Sequence, residues 1–185
     1  MPTIFTHPAV PLAVGLGLGC NIVPPRLLLA GIVLSILPDL DVIAFKLHIA
    51  YASDFGHRGI SHSLSIAMLV ALSGSAFARQ FHSSTGKVFS FLFVSMASHG
   101  VLDALTTGGL GVAFFWPFSS ARYFFPQQVI KVSPIGTDHL LTERFLTVLQ
   151  SELLWVWLPA SLLAIALRFA LHLARLHIAR ENCRP

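Results

Sequence analysis

Three short blocks put metal-ligating side chains inside apolar sequence: Leu37-Pro38-Asp39-Leu40-Asp41, His57-Arg58-Gly59-Ile60-Ser61-His62-Ser63 and His99-Gly100-Val101-Leu102-Asp103, with His7 ahead of the first apolar run. A charged carboxylate facing lipid costs at least about 2.5–3.5 kcal/mol on insertion scales, so such residues turn to the interior of a helix bundle and need partners. Imidazoles and carboxylates without thiolates form a ligand set for zinc, or for manganese or iron. With more than four candidates the set admits one or two ions.

Local geometry favours ligand roles for several of them. His99 and Asp103 are i, i+4, stacked on one helical face, a spacing at which two side chains can grip one ion. Pro38 bends or ends its helix, so Asp39 and Asp41 are expected to turn toward a common point. His57 and His62 would diverge on a helix; Gly59 frees that turn, and Ser61 is expected to cap the helix after it.

The rest of the chain must hold these groups together. Its 185 residues are 55% hydrophobic and 11% charged, with a mean hydropathy of +0.75. A soluble domain carries roughly 25% charged residues, so the composition excludes a soluble globular domain, a disordered chain and a coiled coil. An all-α, polytopic membrane protein of one domain, 1–185, remains. Four runs approach the roughly 17–25 residues of a span: Leu27 to Phe45, Ile60 to Ala78, Val88 to Leu105 and Leu153 to Leu171. A fifth, Pro8 to Val23, is shorter and glycine-rich, either a span or a re-entrant hairpin, which makes four to five membrane helices. Residues 106–152, marked by Gly108-Gly109, Trp116-Pro117-Phe118, Pro126 and Pro134, read as a membrane-hugging loop with a short helix near Asp138 to Gln150. Trp116, Tyr123, Trp155 and Trp157 are candidate interfacial anchors.

The order of the runs sets the side of the membrane on which each candidate falls. His7 begins the first run, the Asp pair ends the second, His57 and His62 begin the third, and His99 and Asp103 end the fourth. Starts of odd runs and ends of even runs share a side, so all seven candidates meet at one membrane face. Seven Lys and Arg fall on the opposite side against five here, which favours a cytoplasmic C-terminus and a metal site on the other face.

Other features carry less. The net charge of +4 comes from scattered basic residues, densest at Arg168, Arg175, Arg180 and Arg184, and points to membrane orientation, not nucleic acid. Cys20 and Cys183 suggest neither a disulfide nor a cysteine metal site, and no Lys or Arg precedes the first run as in a cleaved signal peptide. Gly15, Gly17 and Gly19 suit close helix packing better than a phosphate loop. Ser61 and Ser63 lack a Gly-x-Ser-x-Gly elbow. His48, His82, His172 and His177 read as interfacial or tail residues, and Asp54 as a solvated loop acid.

Taken together, Thr6-His7, the three blocks above and Thr106-Thr107-Gly108-Gly109 resemble the YdjM-type family of inner-membrane, LexA-regulated, metal-dependent hydrolases, with a weaker continuation through Trp116-Pro117-Phe118 and Val132-Ser133-Pro134. That family is distantly similar to zinc-dependent phospholipases C and S1/P1-type nucleases. The resemblance implies that His99 and Asp103 bind metal, that Asp39 or Asp41 and His57 or His62 complete the cluster, and that His7 is a further ligand. The soluble enzymes have a downstream His-x-x-x-Glu set; this chain offers only His139 and Glu143 in its place.

The reading that follows is a membrane hydrolase in which metal-activated water attacks a phosphoester, lipid head groups being the natural substrate at a membrane face. Asp39 or Asp41 would bridge ions or take the proton. Arg58, set between candidate ligands, would clamp phosphate, with Arg122 in the aromatic loop second. Two other readings are a proton- or ion-coupled transporter and a non-catalytic membrane protein whose metal staples its segments.

Overall fold

The computed structural model describes residues 2–133 and 143–182, the side chains of 180–182 excepted. Helix α1 is Ala9–Leu18, and α2 is Pro25–Ile36 with Pro25 in its first turn, where a missing N–H costs nothing. Pro38 ends α2, and the chain tightens into a 3-10 turn, Leu37–Val42, before the short α3, Ile43–Lys46. A second 3-10 turn, Ile60–His62, leads to α4, Leu64–Ser75. The cap of α4 is Ser63, whose hydroxyl accepts from the Ile66 N–H at 3.2 Å; Ser61, the expected cap, points elsewhere.

Helix α5, Thr85–Ala104, is the axis of the molecule. Both α2 and α4 pack along it, and α1 lies against α2 and α7. A methyl group on Gly31 would stand 2.4 Å from the Phe91 ring and 2.7 Å from Ser95 Oγ, so the α2–α5 approach requires glycine there. Gly15 and Gly17 give α1 the same closeness to Leu28 and Leu167, the role expected for the glycine-rich first run. Leu27, Val88, Phe91 and Leu92 centre one apolar core, and Ala9, Ala13, Leu102 and Ile130 centre another.

The long connection is packed, not trailing. Val112, Ala113 and Ile130 are buried, and isolated bridges join Thr106 to Ile130 and Val112 to Tyr123. The short helix expected near Asp138 to Gln150 is α6, Glu143–Glu152, and what differs is that it runs through a π turn, Leu153–Trp157, into α7, Leu158–Asn182. Burial of Val148 and Glu152 on one side holds α6 helical, so the final apolar segment begins ten residues before the apolar run does. Asp138, His139 and Pro134 lie outside the described residues, as do Cys183 and Arg184. Trp157 is also no simple interfacial anchor, since its indole N–H donates to Thr6 Oγ1 at 3.3 Å.

Among the described residues, two helical segments are long and apolar enough to cross a bilayer: Pro25–Lys46, 22 residues, and Glu143–Ala179, 37 residues. Helices α1 and α4 have 10 and 12 residues, roughly 15 and 18 Å at 1.5 Å per residue. As helices alone they fall short of a hydrocarbon core about 30 Å thick.

Candidate metal centre

All seven sequence candidates, with Arg58, meet at the end of the bundle where α1 and α4 begin and α2 and α5 finish. They form two joined groups. In the inner group Asp39, His62, His99 and Asp103 each present one ligand atom, all within 4.8 Å of one another. His7 lies beside them, its Nε2 3.5 Å from Asp39 Oδ2 and its ring stacked on that of His99 at 3.7 Å. The outer group is Asp41, His57 and His62.

The two aspartates do not converge on one point. A 3-10 turn advances about 120° per residue, so residues two apart face different directions. Asp39 turns inward to His99, at 3.4 Å, while Asp41 turns outward to His57 Nδ1, at 2.5 Å. His62 joins the groups, with Nδ1 3.2 Å from Asp41 and Nε2 3.3 Å from Asp103.

Asp41 is already saturated by the protein. Besides His57 and His62 it accepts from the Arg58 N–H at 3.1 Å and from the Ser61 hydroxyl at 2.6 Å. That network decides the tautomer of His62. Ser61 gives its proton to Asp41, so His62 Nδ1 finds only acceptors around it and carries the hydrogen. On His99, Nδ1 sits 2.7 Å from the Ser35 carbonyl oxygen and must donate to it. With both rings neutral, the two Nε2 atoms carry lone pairs, and they face each other at 2.9 Å between two aspartates. Lone pairs this close repel unless a proton or a cation lies between them.

Other buried atoms make the same demand. Both oxygens of Asp39 and both ring nitrogens of His7 have no hydrogen-bond partner among the described residues, an arrangement that folded proteins avoid. Burial, aided by neighbouring His99 and opposed by Asp103 and Asp39, pushes His7 down to about 3. His7 is therefore neutral at physiological pH, the form that can ligate. Buried orphan acceptors and a thiolate-free His and Asp set fit a divalent cation, and the inner group could hold one.

The arginines are committed to protein. Arg58, fully buried, places Nε 2.9 Å from Asp103 Oδ2 and donates to the Gly108 carbonyl at 2.8 Å and to Thr106 Oγ1 at 3.0 Å. Its φ of 62° lies where side chains are strained, so these bonds hold it in place. Arg122 donates to the carbonyls of His57, Tyr51 and Ser53 at 2.9–3.1 Å. Partial burial lowers its pKa from the usual arginine value.

One participant was invisible in the sequence. Glu152 is buried and accepts from the Thr3 N–H and from the hydroxyls of Thr3 and Thr6, the latter two at 2.7 Å. It ties the segment bearing His7 to the end of α6. No spacing rule links Glu152 to Thr3, since they meet only through the tertiary fold. Glu152→Ala leaves three buried donors unmatched and is expected to lower stability by about 2–4 kcal/mol, read as an earlier unfolding transition in detergent, with Glu152→Gln closer to wild type.

A helical bundle with long apolar segments and a buried His and Asp centre at one end defines an integral membrane protein with a candidate metal centre. The chain matches the model of the family described as YdjM inner membrane protein over residues 1–175, and it belongs to that family. It is 51% identical over 164 residues to inner membrane protein YbcI of Escherichia coli (strain K12), an alignment covering 88% of this chain and 95% of that protein. No solved structure matches it.

Proposed function

We propose that the protein is a membrane-bound, metal-dependent hydrolase acting on phosphoesters, with lipid head groups as the favoured substrate class. The observation that carries this reading is the convergence of the His62 and His99 Nε2 atoms with Asp39 and Asp103. Asp39, His62, His99 and Asp103 hold the ion, and His7 stands by as a further ligand. Zinc suits these donors best, with manganese and iron behind it. A bound divalent cation would supply Lewis acidity for activating water and would offset phosphate charge.

The outer group then has a separate task. The Asp41 carboxyl keeps some solvent contact, at 10% exposure, and so marks the open edge of the site. Asp41 orients His57 and His62 by accepting from both, and His57 is placed to take a proton at that edge. Arg58 fixes Asp103 and the turn between His57 and His62. In this role it positions the centre instead of clamping substrate, because its fork is already occupied.

Two further features support the reading. Phe5, Phe55 and Phe118 are 78%, 67% and 90% exposed on segments at this end, as a protein that works at a lipid surface requires. The surplus of Lys and Arg at the other end supports a cytoplasmic C-terminus and a centre on the opposite face. Four to five membrane crossings, with α1 and α4 completed by their flanking turns, are part of the same proposal. The transporter reading is weaker: from Leu27 to Ser35 and from Val88 to Ser98 there is no ionisable residue to carry a relay.

The test is hydrolysis of phosphatidyl lipids and of a soluble phosphodiester by metal-loaded protein. Activity should disappear on chelation, and His57→Ala should reduce it by about 100-fold or more while leaving metal content near wild type. The enclosure of the inner group, with His99 and Asp103 fully buried, favours a second reading in which the ion only staples four segments. Full metal content with no hydrolysis of either substrate would decide for the staple.

A further inference from the structure

At the opposite end of the bundle α1 stops at Leu18 while α7 continues to Asn182. They run in the same direction: Thr6 meets Trp157 near the metal centre, and Gly17 meets Ala164 and Leu167 farther on. Beside that contact lies a cavity of about 630 Å³, walled by Leu16, Ala164, Ile165 and Phe169, and a second of about 450 Å³ adjoins it under the turn after α1. Arg168 and Arg175 line both lobes. They are seven residues apart on α7, so they share a face about 10 Å apart along the axis.

The Arg168 guanidinium lies against the turn that ends α1. Gly19 has a φ of 76°, and a methyl group there would sit 2.8 Å from Arg168 Nη1. No acidic side chain lines either lobe, and neither guanidinium has an ion pair or hydrogen bond among the described residues. Arg26, Arg79 and Lys87 lie at the same end of the bundle. The result is an apolar groove along a lipid-facing helix that carries two uncompensated positive charges.

We propose that this groove is a binding site for an anionic phospholipid of the bilayer, its phosphate between Arg168 and Arg175 and an acyl chain along Leu16, Ile165 and Phe169. Charge complementarity selects this occupant. Basic pockets between membrane helices favour anionic head groups, and the apolar wall continues along α7 into the depth of the membrane. The site is separate from the metal centre and does not depend on the proposed hydrolysis.

Native mass spectrometry of the full-length protein, offered phosphatidylglycerol or phosphatidylcholine in detergent, tests it. Wild type should retain phosphatidylglycerol with an affinity on the order of ten-fold above phosphatidylcholine. Arg168→Gln with Arg175→Gln should abolish that preference, while Arg79→Gln with Lys87→Gln, which removes the same charge from the same end, should preserve it. Equal retention of the two lipids by wild type overturns the proposal without any variant. Equal loss in both double variants also overturns it, because the effect would then be diffuse surface charge.

Discussion

His99→Ala is expected to abolish metal binding at the inner group, with bound zinc falling to background in elemental mass spectrometry of the purified protein. The reason lies in how His99 is held. Its Nδ1 hydrogen is fixed on the Ser35 carbonyl, which points Nε2 at His62 and Asp39, 2.9 and 3.4 Å away. Orientation of a ligating histidine through its second nitrogen is characteristic of metal sites. Asp41→Asn provides the contrast. Asp41 holds His57 and His62 through hydrogen bonds and sits outside the inner group, so its loss should weaken binding by about 10–100-fold without removing it. If the two variants lost metal equally, Asp41 would be a ligand and the division into inner and outer groups would be wrong.

The second large effect is on stability. Arg58 is fully buried, and its guanidinium serves Asp103, Thr106 and Gly108 at once. Removing one member of a buried ion pair costs about 3–5 kcal/mol, because the other charge stays buried without its partner. Arg58→Met should therefore destabilise the metal-free protein by about that amount in a denaturant or detergent unfolding curve. Arg58→Lys keeps the charge but loses the planar fork, and should recover only part of the stability. Added metal should narrow the gap between Arg58→Met and wild type, since a cation beside Asp103 replaces some of the lost charge. A surface arginine serving as a phosphate clamp would show none of this, and its removal would leave the unfolding curve nearly unchanged.

The residue types and their order along the chain were enough to bring the right side chains together. Composition forced the ionisable groups inward, and side-matching of the runs placed His7, Asp39, Asp41, His57, His62, His99 and Asp103 at one end. The division of labour among them was not legible. It depends on the 3-10 turn after Pro38, which separates the directions of Asp39 and Asp41, and on Ser61, which gives its proton to Asp41 while Ser63 caps α4. Arg58 looked like a free cation because nothing in sequence shows that Thr106 and Gly108 return to its side. Glu152 was hidden for the same reason. Its partners Thr3 and Thr6 lie almost the whole chain away, and only the seating of α1 against α7 brings them within reach. The boundary of the last helix moved because polar α6 is held helical by burying Val148 and Glu152, a tertiary effect to which apolar run length is blind.

The most direct test of the metal centre is a crystal structure of the zinc-loaded protein with anomalous data collected at the zinc edge. A peak bounded by Asp39, His62 Nε2, His99 Nε2 and Asp103 is the predicted result. A well-ordered map with Asp39, His62, His99 and Asp103 in contact and no anomalous density among them would contradict it, leaving a shared proton to hold the two imidazoles together.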